Sequence, residues 1–254
     1  MLEVRDYLKG KKPDVMHIIE TKLRKEIHVN FKKEGYNTWR RDRKGKGGGA
    51  VLIMVHDNIC VEDVQYGEDK VEVMGVTIKT EEFKKRKIIV TYVPPKTNTW
   101  GTEEHKDMQR ELIKCLDNMI RRDRRLLLVG DFNCKNINWR EMEVMGNAGL
   151  WSKEVLQLTM VNAVDQWVEE STRYRGEEEP SLLDLVFTEK PEPPPIIQYF
   201  KVCFARCNYH STMIDHGSTM IVKRLSRALI QCFLNGTVLL RVTDTTVAND
   251  HRWP

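Results

Sequence analysis

The sequence predicts one mixed α/β domain in which both faces of the strands are covered. Short apolar runs of strand length recur along the chain, and longer segments between them repeat their apolar residues at helical spacing. No repeat of fixed period is present, which argues against a solenoid. The alternation of these segments indicates strands and helices packed around a shared core.

The strands are predicted from apolar runs that are bounded by charged residues, glycine or proline. The run at 71–79 alternates polar with apolar residues and is typical of a half-exposed strand. The predicted strands are 14–20 (DVMHIIE), 50–55 (AVLIMV), 71–79 (VEVMGVTIK), 87–93 (KIIVTYV), 126–133 (LLLVGDFN), 181–189 (SLLDLVFTE) and 219–223 (TMIVK).

Helices are predicted where apolar residues recur at i, i+3, i+4. Between 105 and 125 these are Met108, Leu112, Leu116, Met119 and Ile120. A second helix is predicted from Trp151 to Val168, and 3–9 is predicted as the end of a helix that stops at Gly10. The proline-rich stretch 191–195 predicts an extended loop.

Composition limits the function classes without choosing among them. The net charge is +4, and basic residues cluster at 9–12, 40–46, 84–87 and 121–125. Such clusters permit nucleic-acid binding, but each is equally well explained as a solvated surface. No apolar run approaches the roughly 18 residues that a membrane span needs, and no signal peptide is recognised. The six cysteines are irregularly spaced, so free thiols are expected.

Polar residues stand where apolar strands end. Glu20, Asp131 and Asn133 close predicted strands, Asp184 lies within one, and the pair 215–216 (Asp-His) precedes another. Carboxylates that converge at strand ends suit Mg²⁺, which prefers oxygen ligands and commonly binds substrate phosphate as well. Each residue also has a simpler explanation as a turn former, a solvated strand end or a hydrogen-bonded buried carboxylate. Pattern alone therefore yields a candidate site and no more.

The ordered set of motifs is more specific. ETK at 20–22, TYVPP at 91–95, LLLVGDFN at 126–133, SLLDLVF at 181–187 and DH at 215–216 resemble the endonuclease/exonuclease/phosphatase superfamily. The stretches KPDVMHIIETKL and RRDRKGKGGGAVLIMV, with NINW after GDFN, are similar to the apurinic-type endonuclease domain of non-LTR retrotransposons. The resemblance implies a four-layer sandwich of two packed mixed sheets flanked by helices. It also implies an Mg²⁺- or Mn²⁺-dependent endonuclease that nicks DNA in the nucleus.

The resemblance assigns phosphate and water contacts to three residues. Tyr92 is expected to hydrogen-bond the scissile phosphate, and Asp131 to orient or deprotonate the attacking water. Asn133 is expected to contact the phosphate beside them.

The same resemblance assigns metal and histidine roles. Glu20 and Asp215 are expected to bind the metal, and Asp184 to fix the ring of His216. His216 would then steady charge on the phosphoryl oxygens, which suits an imidazole oriented by a carboxylate.

The chain departs from the family pattern in ways that leave alternatives open. It begins inside the helix that follows the family's first strand, so we expect that strand and its asparagine to be absent. Ile214 stands where the family's closing motif has serine. We expect the domain to span 1–223 and the tail 224–254, which resembles nothing known, to be disordered or mis-spliced.

The alternative function is an inactive retrotransposon remnant that at most binds nucleic acid. A substrate change to RNA tails, phosphoinositides or sphingomyelin is a weaker alternative. The cluster Cys203, Cys207, His210 and His216 permits a zinc site, but its spacing is too short for a classical finger.

Overall fold

The computed structural model describes residues 12–19, 34–42, 50–68, 70–79, 85–97, 100–121, 125–175, 178–189, 196–199, 230–233 and 237–241. Its elements, in chain order, are β1 (Val15–Ile19), β2 (Tyr36–Arg41), β3 (Val51–His56), β4 (Val61–Tyr66), β5 (Glu72–Lys79), β6 (Lys85–Tyr92), α1 (Thr102–Ile120), β7 (Leu126–Asp131), β8 (Ile137–Asn138), β9 (Glu143–Val144), α2 (Leu150–Val161), β10 (Val164–Gln166), β11 (Arg173–Arg175), β12 (Glu178–Ser181), β13 (Asp184–Glu189), β14 (Ile196–Tyr199), β15 (Ile230–Phe233) and β16 (Thr237–Arg241).

Two mixed sheets pack face to face. The six-stranded sheet has the order β10-β13-β7-β6-β5-β4, and the four-stranded sheet has the order β16-β1-β3-β2. Between them lies one apolar core, to which β1 and β3 contribute Val15, Ile19, Val51, Ile53 and Val55. This arrangement confirms the predicted α/β sandwich.

Helices α1 and α2 cover the other face of the six-stranded sheet. Leu112 and Leu116 of α1 and Val155 of α2 are fully buried in a second core, together with Ile89 and Phe187 from the sheet. The apolar stripe that predicts α1 from sequence is therefore the stripe that α1 buries. The helix begins and ends somewhat earlier than predicted, at Thr102 and Ile120.

Two predictions about elements are wrong. The second predicted helix ends at Val161, because the Asn162 side chain and backbone both donate to the Leu158 carbonyl and Ala163 adopts a φ of 50°. Residues 164–166 then form β10 at the edge of the six-stranded sheet. Strand β5 is not half-exposed: its residues from Glu72 to Ile78 are buried, because one face meets the inter-sheet core and the other lies beneath α1.

Other predicted elements lie outside the described residues. These are the helix at 3–9, the proline-rich loop and the strand at 219–223. The domain boundary at 223 stays a prediction. Beyond it, β15 pairs with β14, and β16 pairs in parallel with β1 from Val15↔Thr237 to Ile19↔Arg241.

Candidate active site at one edge of the six-stranded sheet

The topology of the six-stranded sheet brings four polar strand ends to one edge, meaning the edge formed by the ends of the strands and not by an outermost strand. Strands β6 and β7 are parallel and are joined through α1, so their last residues, Tyr92 and Asp131, lie side by side. Strand β13 runs antiparallel to β7 and begins opposite Asp131 with Asp184. Strand β5 runs antiparallel to β6 and begins opposite Tyr92 with Glu72. We call Glu72, Tyr92, Asp131 and Asp184 the polar row.

The polar row faces the space between the two sheets. Residues two positions away on the same strands, Val90, Val129 and Val186, belong to the inter-sheet core. Alternate residues of a strand share a face, so the polar side chains point the same way as these valines. All four are buried, and Asp131 and Asp184 are fully buried. The row is therefore the polar end of an otherwise apolar core.

Gly130 lets β7 lie close to β6 just before Asp131. It is in register with Thr91, and a Cβ at Gly130 would lie 2.0 Å from the Thr91 carbonyl oxygen. Only glycine fits that contact. The glycine of the VGDFN motif thus sets how closely Tyr92 and Asp131 approach.

A tight turn after β7 joins the exits of β6 and β7. The Asn133 N–H donates to Asp131 Oδ1 at 3.0 Å, and Asn133 Nδ2 donates to the Val93 carbonyl at 2.6 Å. The Val93 N–H in turn donates to the Asp131 carbonyl at 2.8 Å. Asn133 has a φ of 45°, a region that asparagine tolerates better than most residues. The turn fixes the Asp131 carboxylate and leaves one N–H of the Asn133 amide for another acceptor.

The turn is also held from the helical side. Trp151 of α2 donates from Nε1 to the Phe132 carbonyl at 2.7 Å, and the Phe132 N–H donates to the Leu183 carbonyl. The Phe132 ring packs edge-on against Phe187 of β13, with ring centroids 5.3 Å apart. Phe132 therefore anchors the turn in the second core while its neighbours face the site.

Thr172 holds the start of β13. Its Oγ1 accepts the backbone N–H groups of Leu183 and Asp184, each at 3.0 Å, and its own N–H donates to the Ser181 carbonyl. Thr172 is 1% exposed. A single buried hydroxyl thus fixes the backbone from which Asp184 projects.

The structure brings together four of the seven residues predicted for the site. Tyr92, Asp131, Asn133 and Asp184 share one edge, as the geometry above describes. The others (Glu20, Asp215 and His216) lie outside the described residues. Sequence reasoning missed two positions that this edge depends on, Glu72 and Thr172. No local sequence pattern marks either residue, because both reach the site through contacts between distant parts of the chain.

The donor set at this edge suits a hard cation. Asp131 and Asp184 are fully buried carboxylates at directly opposed positions, and such a pair repels unless a cation or a proton neutralises it. Carboxylate oxygens are the ligands that Mg²⁺ and Mn²⁺ prefer. Within the described part of the chain, no group of three or more His, Cys, Asp or Glu residues could hold a metal ion. The described residues therefore supply carboxylate oxygens at this edge but do not by themselves form a metal site.

Burial shifts the pKa of two further titratable groups, His17 and Cys134. His17 of β1 is fully buried, and desolvation lowers its pKa to about 3. Neither ring nitrogen of His17 has a hydrogen-bond partner among the described residues. Burial, followed by the charge of Asp131, raises the pKa of the Cys134 thiol well above its usual range, so this thiol is inert rather than nucleophilic.

Several solved enzyme structures share the fold of this chain. The 3′ phosphatase NExo from Neisseria, bound to a product DNA hairpin, aligns with a TM-score of 0.58 at 13% identity, over 78% of this chain and 86% of that one. An AP endonuclease from Archaeoglobus fulgidus aligns with a TM-score of 0.51 at 18% identity, over 74% and 80%. The endonuclease domain of TRAS1, a telomere-specific non-LTR retrotransposon, aligns with a TM-score of 0.51 at 14% identity, over 77% of this chain and 83% of that one.

Identities this low show the fold alone, and no curated protein matches the chain. No helix among the described residues is long and apolar enough to cross a membrane. A family model described as endonuclease-reverse transcriptase matches residues 87–220, which is more than half of the chain and includes β7, β13 and all but the first two residues of β6. Family and fold together indicate a nuclease or phosphodiesterase. The chain belongs to the endonuclease-reverse transcriptase family of the endonuclease/exonuclease/phosphatase superfamily.

Proposed function

We propose that this chain is a metal-dependent DNA endonuclease of the retrotransposon type, which hydrolyses a phosphodiester by attack of water. The observation that carries the proposal is the polar row, in which Tyr92, Asp131 and Asp184 occupy neighbouring register positions at the edge of the sheet. Asn133 adds an amide to the same edge. Nuclear location remains a prediction from the resemblance.

Asp131 is the residue proposed to orient and deprotonate the attacking water. One of its oxygens already accepts the Asn133 N–H, so the carboxylate is held in a single orientation. A positioned general base contributes about 10²–10⁴ in rate, and fixing its orientation before substrate binds avoids an entropic cost during reaction.

Tyr92 and Asn133 are proposed to bind the scissile phosphate. The Tyr92 hydroxyl can donate to a phosphoryl oxygen, and so can the N–H of Asn133 that is not directed at Val93. Donors aimed at developing negative charge in a water-poor site are a major source of catalysis. Tyr92 is 4% exposed, so a phosphate that reaches it leaves most of its water behind.

The metal proposed here is Mg²⁺ or Mn²⁺, with Glu20 and Asp215 as the predicted protein ligands. When bound, such an ion would offset charge on the phosphoryl oxygens and lower the pKa of a bound water. Glu20 follows Ile19, the last residue of β1, directly in the chain. Asp184 is proposed to orient His216, whose imidazolium would contribute a second positive charge.

DNA is the proposed substrate for two reasons. The similar solved structures are a 3′ phosphatase bound to a DNA hairpin, an AP endonuclease and a retrotransposon endonuclease domain. In this chain, Arg41 of β2 lies beside the polar row, because its Nε donates to the carbonyl of Val71, the residue before Glu72. Basic side chains at this edge suit a polyphosphate backbone.

The proposal is tested by nicking of supercoiled plasmid with the purified chain in Mg²⁺, Mn²⁺ or EDTA. The Asp131→Asn variant keeps the shape of the side chain and removes the base, and the Asp63→Asn variant removes an exposed carboxylate on β4. We expect metal-dependent nicking that Asp131→Asn lowers by about 10²-fold or more and Asp63→Asn leaves unchanged.

DNA binding is measured separately, by fluorescence anisotropy of a labelled duplex in EDTA. A folded chain that binds duplex but nicks nothing in either metal would contradict the proposal and favour an inactive remnant. Equal nicking by the wild type and Asp131→Asn would contradict the role of Asp131. Preferential cleavage of RNA in a parallel assay would contradict the DNA assignment while leaving the chemistry intact.

A further inference from the structure

We infer that Glu72 is a positioning residue, which fastens the start of β3 in the four-stranded sheet to the polar row and so supports the proposed metal site. This inference rests on the proposed function and adds to it a residue outside the predicted set. Glu72 occupies the first position of β5, beside Tyr92, at the edge where the two sheets meet.

The contact that carries the inference crosses from one sheet to the other. The backbone N–H of Ala50, directly before β3 of the four-stranded sheet, donates to Glu72 Oε2. Glu72 is 2% exposed and Ala50 is fully buried, so little water competes for this bond. Burial strengthens a hydrogen bond, because a low local dielectric screens it less than water does.

Ala50 is itself held in an unfavourable conformation. Its φ is 77°, a region in which an L-residue with a Cβ is strained. Such strain persists only where the surrounding contacts impose it. The Glu72 carboxylate is one contact able to impose it, which indicates that the start of β3 is set by Glu72 rather than by local backbone preference.

Short paths of paired residues lead from Glu72 to Ile19 of β1 and to the rest of the polar row. On one side, Ala50 precedes Val51, which pairs with Ile19, and Glu20 follows Ile19 in the chain. On the other side, Glu72 pairs with Tyr92, which pairs with Asp131. The Glu72–Ala50 bond therefore joins the start of β3 in the four-stranded sheet to the polar row of the six-stranded sheet.

Glu72 fits a positioning role better than a ligand role. One carboxylate oxygen is committed to the Ala50 N–H. Three strand spacings of about 4.8 Å separate Glu72 from Asp184 at the far end of the row, about 14 Å in all. Among the residues described, no three such side chains come close enough to share a metal ion. The carboxylate therefore acts through Ala50.

The test uses a matched pair of variants in the full chain. Glu72→Leu removes the acceptor and keeps the bulk of the side chain, whereas Glu72→Gln keeps an oxygen that can accept the Ala50 N–H. Three quantities are measured: hydrogen exchange of the Ala50 amide by NMR, half-saturation by Mn²⁺ alone, and the metal dependence of plasmid nicking. We expect Glu72→Leu to speed Ala50 exchange and to weaken Mn²⁺ binding by about 10–100-fold, as loss of a supporting contact typically does.

Glu72→Gln is expected to stay within about threefold of the wild type in all three measurements, because the hydrogen bond remains. The same pair is repeated on an Ala50→Gly background, where the positive φ is unstrained and folding depends less on the bond. There we expect the Glu72→Leu variant to recover part of its Mn²⁺ affinity.

Three results would overturn the inference. Glu72→Leu with unchanged Ala50 exchange and unchanged Mn²⁺ affinity would show that the bond positions nothing. An equal loss of Mn²⁺ affinity in Glu72→Gln would show that the carboxylate is itself a ligand. A wild-type chain that neither binds Mn²⁺ nor nicks DNA would overturn the proposed function and the inference with it, even where Ala50 exchange responds to Glu72→Leu.

Discussion

Replacement of Thr172 by valine tests whether one buried hydroxyl holds the Asp184 side of the site. Thr172 Oγ1 accepts two backbone N–H groups, from Leu183 and Asp184, both at 3.0 Å. Valine has nearly the same shape but no acceptor. The substitution therefore leaves the N–H groups of Leu183 and Asp184 without this acceptor. Water has little access to replace it, because Thr172 is 1% exposed.

The magnitude follows from what those donors lose. A buried donor without a partner costs about 1–3 kcal/mol, and the two costs are not fully additive. We expect Thr172→Val to lower the free energy of unfolding by about 2–4 kcal/mol. Thr172→Ser keeps the hydroxyl and removes one methyl group, which costs about 1 kcal/mol.

Urea unfolding followed by tryptophan fluorescence measures both variants, since the chain has six tryptophans. An unchanged slope with denaturant shows that the shift in midpoint reports stability alone. Plasmid nicking is expected to fall in Thr172→Val and to persist in Thr172→Ser. If the two variants unfold within about 0.5 kcal/mol of each other, the hydroxyl does not hold β13 in the way described here.

Two further predictions concern His17 of β1 and Gly130 of β7. Burial lowers the pKa of His17 to about 3 in the folded protein, whereas in the unfolded chain it keeps its ordinary value of 6.5. Between these two values only the unfolded chain binds the proton, so the free energy of unfolding falls as the pH is lowered from 6.5 to about 3. The slope is about 1.4 kcal/mol per pH unit, and His17→Leu should remove it and raise stability at neutral pH; an unchanged acid profile in the variant would contradict this. Gly130→Ala should lose about 3 kcal/mol or more, because its Cβ would meet the Thr91 backbone at 2.0 Å. Gly75→Ala is the matched control, since its Cβ would make only ordinary contacts from 3.7 Å, and equal losses in the two alanine variants would rule out the close approach.

The elements that the sequence predicts best are the strands with both faces buried. Runs such as AVLIMV and LLLVG identify β3 and β7 without help from their neighbours, because nearly every side chain must be apolar. Strands β2 and β4, which form sheet edges, were not predicted, since their side chains are mostly half-buried or exposed and carry no period-two pattern. The error about β5 has the same origin. Alternation there comes from Glu72 and Thr77, which are polar but buried rather than exposed to water, and Glu72 accepts the Ala50 N–H.

For the site, sequence pattern alone reaches polar residues at strand ends, and the resemblance supplies their roles. Which ends meet depends on strand order and register, and both are set by contacts between residues far apart in the chain. Tyr92 and Asp131 are neighbours because β6 and β7 are parallel, and Asp184 joins them because β13 is antiparallel. Glu72 and Thr172 belong to the site only through contacts of this kind, so no local pattern identifies them.

The polar row also accounts for how a buried cluster of charge is tolerated in a sandwich core. Carboxylates on the inner faces of two sheets oppose folding unless each is bound to a donor. Asp131 takes the N–H of its own turn, and Glu72 takes an N–H from the opposite sheet. Both donors are backbone N–H groups, and the residues that carry them, Asn133 and Ala50, have left-handed backbone conformations. The bonds that make the carboxylates tolerable are thus the bonds that fix the backbone around the site, so stability and geometry at this edge depend on the same contacts.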